Sequence, residues 1–183
     1  WSAPGVGPNR AILYGGKTLR DRARGGYRNS LLLRSGVNKN VTNEVGSGFT
    51  LISTCQDDDF RREWNALWKV SQNQLDPWGV MNFGALLDLT TRSRRMSGEC
   101  FVRRVRRRLS SGLEIPLQIE VLEADLCPID LNRRISTRRR IIQGVEFDGK
   151  QRVAYWFYKA HPEDGIESVS LNDVERVPAR DVI

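Results

Sequence analysis

The sequence predicts an α+β fold in which an N-terminal arm and about three helices precede a mainly antiparallel β region. Three observations predict it. Apolar residues recur at helical spacing as far as Gly98, alternate with polar residues after it, and are punctuated in the second half by turn signals such as Asp148-Gly149. The chain has 183 residues, 39% of them hydrophobic, enough for one domain that hides roughly 70% of its unfolded surface.

Residues 1–28 are rich in Gly, Pro and Arg, with Gly15-Gly16 and Gly25-Gly26 flanking Lys17 to Arg24. So interrupted a stretch predicts an arm rather than a core element, which leaves residues 29–183 as the body. From Asn29 a first helix is expected, because Leu33, Val37, Val41 and Val45 recur every fourth residue and Gly46 and Gly48 follow as stop signals. Phe49-Thr50-Leu51-Ile52 reads as a short strand.

The second helix should run from about Asp57 to Gln72. Phe60, Trp64, Leu67 and Trp68 share one face, Trp64 and Trp68 being read as core, and Asp57-Asp58-Asp59 place negative charge where the helix dipole favours it. Asp76-Pro77 breaks the chain. Asn82 can cap a third helix with Phe83, Leu86 and Leu87 on its apolar face, ending near Gly98.

Beyond Gly98 the period becomes two. Cys100 to Arg107 and Pro116 to Leu122 read as strands joined near Ser110-Ser111-Gly112, with Leu117, Ile119 and Val121 alternating. Ile141 to Phe147 and Val153 to Tyr158 form a stronger hairpin about Asp148-Gly149, and Val174 to Val177 adds a short strand before Pro178.

Several function classes are disfavoured. No apolar run approaches the roughly 20 residues that span a bilayer, and no signal-peptide pattern opens the chain, so no membrane partner is expected. The start at Trp1 and the apolar onset at Val182-Ile183 suggest a piece of a longer protein, truncated at the C-terminal side. Cys55, Cys100 and Cys127 fit neither a disulfide framework nor paired zinc ligands, and reduced thiols are expected. His161, the only histidine, stands in a turn-like context and offers no multi-histidine metal site. Asp57-Asp58-Asp59 cannot all converge on one ion. The carboxylates show no paired acid/base arrangement with a nucleophile, so neither cofactor nor catalysis is expected.

Ala11-Ile12-Leu13-Tyr14-Gly15-Gly16-Lys17-Thr18 resembles the nucleotide-binding pattern G-x-x-x-x-G-K-S/T from its second glycine onward. Ala11 replaces the glycine that lets backbone N–H groups wrap a phosphate, and an Arg-rich, Gly-broken stretch follows. Nucleotide binding is disfavoured.

Charge is the more informative feature. The net charge is +7, with 24 Arg against 5 Lys. Residues 92–108 carry eight arginines against Glu99, and residues 133–140 carry five with no acid, so the rest of the chain is net negative. Arg103, Arg104, Arg106, Arg107 and Arg108, with Arg138, Arg139 and Arg140, are the candidate site residues. They could bind phosphates without reading sequence. Gln118, Glu120 and Glu123 on the adjacent expected strand favour structural or subunit-interface pairing instead. Trp64, Trp68, Trp156, Tyr155, Phe157 and Tyr158 could stack bases, but core packing is the favoured role.

Taken in order, several segments resemble the lambda-like family of bacteriophage portal proteins. Leu19-Arg20-Asp21-Arg22-Ala23-Arg24 with Arg28-Asn29 is similar to the family's Arg-rich entry to its first helix, and Val45-Gly46-Ser47-Gly48 to the step that ends it. Gly98-Glu99-Cys100-Phe101 resembles its G-E-x-F strand start. Leu117-Gln118 through Glu123-Ala124-Asp125 resembles its L-Q-x-x-x-x-E-A-D strand. Ile142-Gln143-Gly144-Val145-Glu146-Phe147-Asp148, Val153-Ala154-Tyr155-Trp156-Phe157 and Val177-Pro178-Ala179-Arg180-Asp181-Val182-Ile183 keep the family's order and spacing.

The resemblance implies a structural subunit of a ring, usually of about twelve copies, at one capsid vertex of the virion. Such a ring passes double-stranded DNA non-specifically in packaging and ejection, and docks the terminase large subunit, the head-tail connector and capsid or scaffold protein. It is assembled in the bacterial host cytoplasm. The stem, clip and crown segments would lie beyond Ile183, so this chain corresponds to the outer wing. A sequence-nonspecific nucleic-acid-binding module is the alternative that the Arg clusters support.

Overall fold

The computed structural model describes residues 5–162, 170 and 172–183. Four α-helices and two antiparallel sheets among them make an α+β fold, as the sequence predicts. Residues 8–28 differ from the expectation of an interrupted arm, whose first four residues lie outside the described ones. From Pro8, the proline that opens it, the chain forms α1 (Pro8–Asn29), with all four paired glycines inside the helix. Each costs about 1 kcal/mol relative to alanine. Tertiary contacts offset that cost, because α1 packs against two other helices and its Arg20 is buried.

Ser30 ends α1 and caps α2 (Leu31–Val45), its side chain accepting from Leu33 N. Val41 is the fully buried member of the expected apolar row. Gly46, at φ 59°, takes the chain out of the helix. Phe49 to Ile52 is not a strand: Phe49, Leu51 and Ile52 are exposed, and no neighbouring strand pairs with them among the described residues.

α3 (Asp58–Ser71) is capped by Asp57, whose carboxylate accepts from Asp59 N and Phe60 N at 2.9 and 3.1 Å. Its apolar face is only partly core. Trp68 meets Phe83 edge-on at 5.2 Å, whereas Trp64 is 37% exposed, contrary to the expectation that it is core, and Phe60 on the same face is 50% exposed. The Asp76-Pro77 break is a built loop: the buried Asp76 carboxylate accepts from Trp78 N, Val80 N and Met81 N. α4 (Phe83–Ser97) starts at the expected Asn82 cap and ends at Gly98 in the left-handed region. It packs on α1, α2 and the first sheet.

That sheet pairs β1 (Cys100–Arg106) with β2 (Leu117–Glu123), Arg103 opposite Glu120. The second is a five-stranded meander of β3 (Arg133–Arg134), β4 (Arg139–Ile142), β5 (Val145–Asp148), β6 (Gln151–Tyr158) and β7 (Val174–Pro178). The single strand expected from Ile141 to Phe147 is two, because the chain reverses at Gln143 and Gly144, with φ 50° and 77°. Gly144 is required twice over, since a Cβ there would lie 2.7 Å from Cys127 Sγ.

The chain end joins the two sheets. Val102 and Ile183 exchange backbone hydrogen bonds, both 2.9 Å. Between the sheets Phe101 packs on Tyr155 and Phe157 at 5.7 and 5.3 Å, with Leu122, Cys127, Val177 and Val182 completing the core.

Candidate functional site

The arginines of the two basic stretches, the candidate site residues among them, fall into three environments. Those at the end of α4 tie helices together: Arg92 donates to Asp88 and to Tyr27 Oη on α1, while Arg94 and Arg95 pair with Glu44 on α2. The Arg95 hydrogen bond leads in holding the Glu44 carboxyl below its ordinary range, burial opposing it.

On β1 the charge is also spent inside the chain. Arg103 pairs with Glu175 of β7 and lies 3.6 Å from Glu120. Arg104 donates to the Arg180 carbonyl and, like Arg106, lies 3.5 Å from Asp181. Arg107 donates to Gln118 Oε1 at 2.6 Å, and Gln118 in turn donates to the Gln74 and Asp76 carbonyls. Arg108 alone of the five has no side-chain partner among the described residues. Four of these candidates thus join β1 to β2, β7 and the chain end.

The third group lies on the β3–β4 hairpin. Arg139 belongs to the sheet, 3.5 Å from Glu146, and Arg138 reaches Asp148 at 3.4 Å. Glu146 is 1% exposed and also accepts from Arg176 Nε at 2.7 Å and Trp156 Nε1 at 3.2 Å. The Arg176 hydrogen bond is the leading cause that holds its carboxyl below the ordinary range against burial. Arg134 and Arg140 stand directly opposite one another across the strands. No carboxylate pairs with either among the described residues, and two like charges so placed repel. With Arg133, Arg138, Ser136 and Thr137 they line an open groove of about 710 Å³.

A second cluster escaped sequence reasoning. Arg20 donates from Nε to Asp125 Oδ1 at 2.8 Å, and Arg24 Nη1 lies 2.5 Å from Asp125 Oδ2. Arg24 also donates to Glu123 at 3.0 Å and Ser97 at 3.2 Å. Burial raises the Asp125 carboxyl, but the charges and hydrogen bonds of Arg20 and Arg24 together hold it below its usual value. Arg20-to-Arg24 and Glu123-Ala124-Asp125 are both visible as motifs, but a contact spanning 105 residues has no local signature.

Glu123, Asp125 and His161 offer ligand atoms within 4.8 Å of one another. Two guanidiniums already neutralise Asp125, so an added cation would enter a positive field. The nucleotide-like stretch is equally unsuited to its ligand. Gly15 to Thr18 lie in mid-helix, where backbone N–H groups donate to carbonyls one turn back and cannot wrap a phosphate. Burial pushes the Cys127 thiol up to about 12, so it is not a thiolate nucleophile. Tyr155 and Phe157 are core residues rather than a stacking platform. The arrangement orders helices and sheets.

Comparison with known proteins agrees with that character. The family model for phage portal protein, lambda family, matches residues 1–183. The chain is 30% identical over 173 residues to a probable portal protein of Halomonas phage phiHAP-1, an alignment covering 89% of this chain and 33% of that protein. It therefore spans about a third of the length of this curated relative.

Proposed function

Since this chain belongs to the lambda family of phage portal proteins, we propose that it forms the outer wing of a portal ring subunit at the capsid vertex. The ring forms the channel through which DNA is packaged and ejected, and presents docking sites for the terminase large subunit, the head-tail connector and capsid or scaffold protein. In this reading residues 29–183 are the wing body, and α1 is tied to it by the Arg20 and Arg24 ion pairs with Asp125. The subunit is structural, not catalytic, and takes its place in the virion after assembly in the host cytoplasm.

One observation carries the reading: a family match along the whole chain, in a fold whose arginines mostly bind its own elements together. Light scattering of the full-length protein tests it. A closed assembly of many subunits is expected, and a strictly monomeric full-length protein would overturn it.

The β3–β4 hairpin favours a second reading, contact with the phosphate backbone of DNA. Arg133, Arg134 and Arg140 have no carboxylate partner among the described residues. Such contact would show as binding of duplex DNA with a steep salt dependence, lost on their replacement by alanine.

A further inference from the structure

Two surface features of complementary chemistry lie at the two ends of one connected series of elements. At one end is α3. It joins the body through the Gln72 carbonyl, which accepts from Phe83 N at 2.9 Å, and through Trp68 on Phe83. The loop after it reaches β2, where Ile119 N donates to the Leu75 carbonyl. Phe60 and Trp64 stand one turn apart on α3 and are left 50% and 37% exposed. Asp59 and Glu63 form the adjacent row; Asp59 pairs with Arg62 of the same helix, and Glu63 has no side-chain partner among the described residues.

From β2 the series runs through β1, the Val182–Ile183 bridge, β7, β6, β5 and β4 to the edge strand β3. At that end Arg134 and Arg140 face one another without an acid. An edge strand of arginines resists pairing with another edge. It suits a surface bearing carboxylates and aromatic rings, because guanidinium groups pair with the first and stack on the second.

One chain therefore carries two separate, complementary patches. A twofold contact uses the same patch on both copies, whereas two different patches that fit one another make a head-to-tail contact, and head-to-tail contacts close rings. We propose that α3 of one copy docks on the β3–β4 hairpin of the next, with Arg134 and Arg140 covering Phe60 and Trp64, pairing with Glu63 and sharing Asp59 with Arg62. This rests on the ring reading above. DNA on the hairpin would neutralise the arginines but leave the aromatic face of α3 uncovered; a second copy accounts for both.

The test uses the full-length protein and its ring yield by light scattering. Charge reversal on the hairpin (Arg134→Glu with Arg140→Glu) should lower the ring fraction roughly tenfold or more, and so should reversal on α3 (Asp59→Lys with Glu63→Lys). Combining the four should restore rings. Circular dichroism checks that each variant folds, and Arg134→Gln with Arg140→Gln is the milder substitute should reversal prevent folding, with ring assembly then requiring higher protein concentration. Rings of normal yield in both reversed variants overturn the proposal, as does loss of DNA binding with ring yield intact, which assigns the hairpin to DNA. A wild type that never forms rings overturns the ring reading itself.

Discussion

At Asp125 two guanidiniums converge on one buried carboxylate, so neutralising it leaves the buried Arg20 with only Glu99 at 3.6 Å and Arg24 with the exposed Glu123. Asp125→Asn is expected to destabilise the fold by about 3–5 kcal/mol, read as a lower urea midpoint. The sign of the pH dependence follows from the same group. Asp125, Glu146 and Asp76 all titrate below their ordinary values when folded. Their stabilisation is present above the unfolded carboxylate range of about 4 and is lost as pH falls through the folded values, a loss that Asp125→Asn should make shallower. Thiol chemistry checks the core independently. Exposed Cys55 should react with a thiol reagent at once, and Cys127, with its thiol raised to about 12, only on unfolding. The sequence pointed to the arginine-rich β1 and to Gln118 and Glu120 as cross-strand partners, which Arg107 and Arg103 meet; it did not show Glu175 and Asp181, which lie more than 70 residues away.

Elements with a local signature were legible and those held by distant contacts were not. Asp57 and Asn82 cap their helices as their residue types suggest, and Cys100–Arg106 pairs with Leu117–Glu123 near the expected bounds. α1 was hidden because four glycines lower its local propensity, whereas its stability comes from ion pairs to residues near 125. The reversal at Gln143-Gly144 was hidden because apolar alternation runs through it, and the strand at Phe49–Ile52 failed for want of a partner. α1 allows a direct test. Gly15 and Gly25 have open space at the Cβ position, so Gly15→Ala with Gly25→Ala should raise stability by about 0.5–1 kcal/mol per site in thermal melts. No gain would mean that the segment is not helical in solution.

Across the whole molecule, charge that looks like a nucleic-acid surface in the sequence is mostly used to weld layers: α4 to α1 and α2, β1 to β7, and α1 to the end of β2. Among the groups that remain outward are the basic β3–β4 hairpin and, on α3, the half-exposed Phe60 and Trp64 beside Glu63. A body with two complementary faces fits the proposed place as one sector of a closed ring. Single-particle imaging of the full-length protein measures this most directly. The account predicts a closed ring in which this α+β body forms the outer rim and α3 meets the β3–β4 hairpin of its neighbour. An unassembled subunit, or a ring whose channel is lined by the β3–β4 arginines, would contradict it.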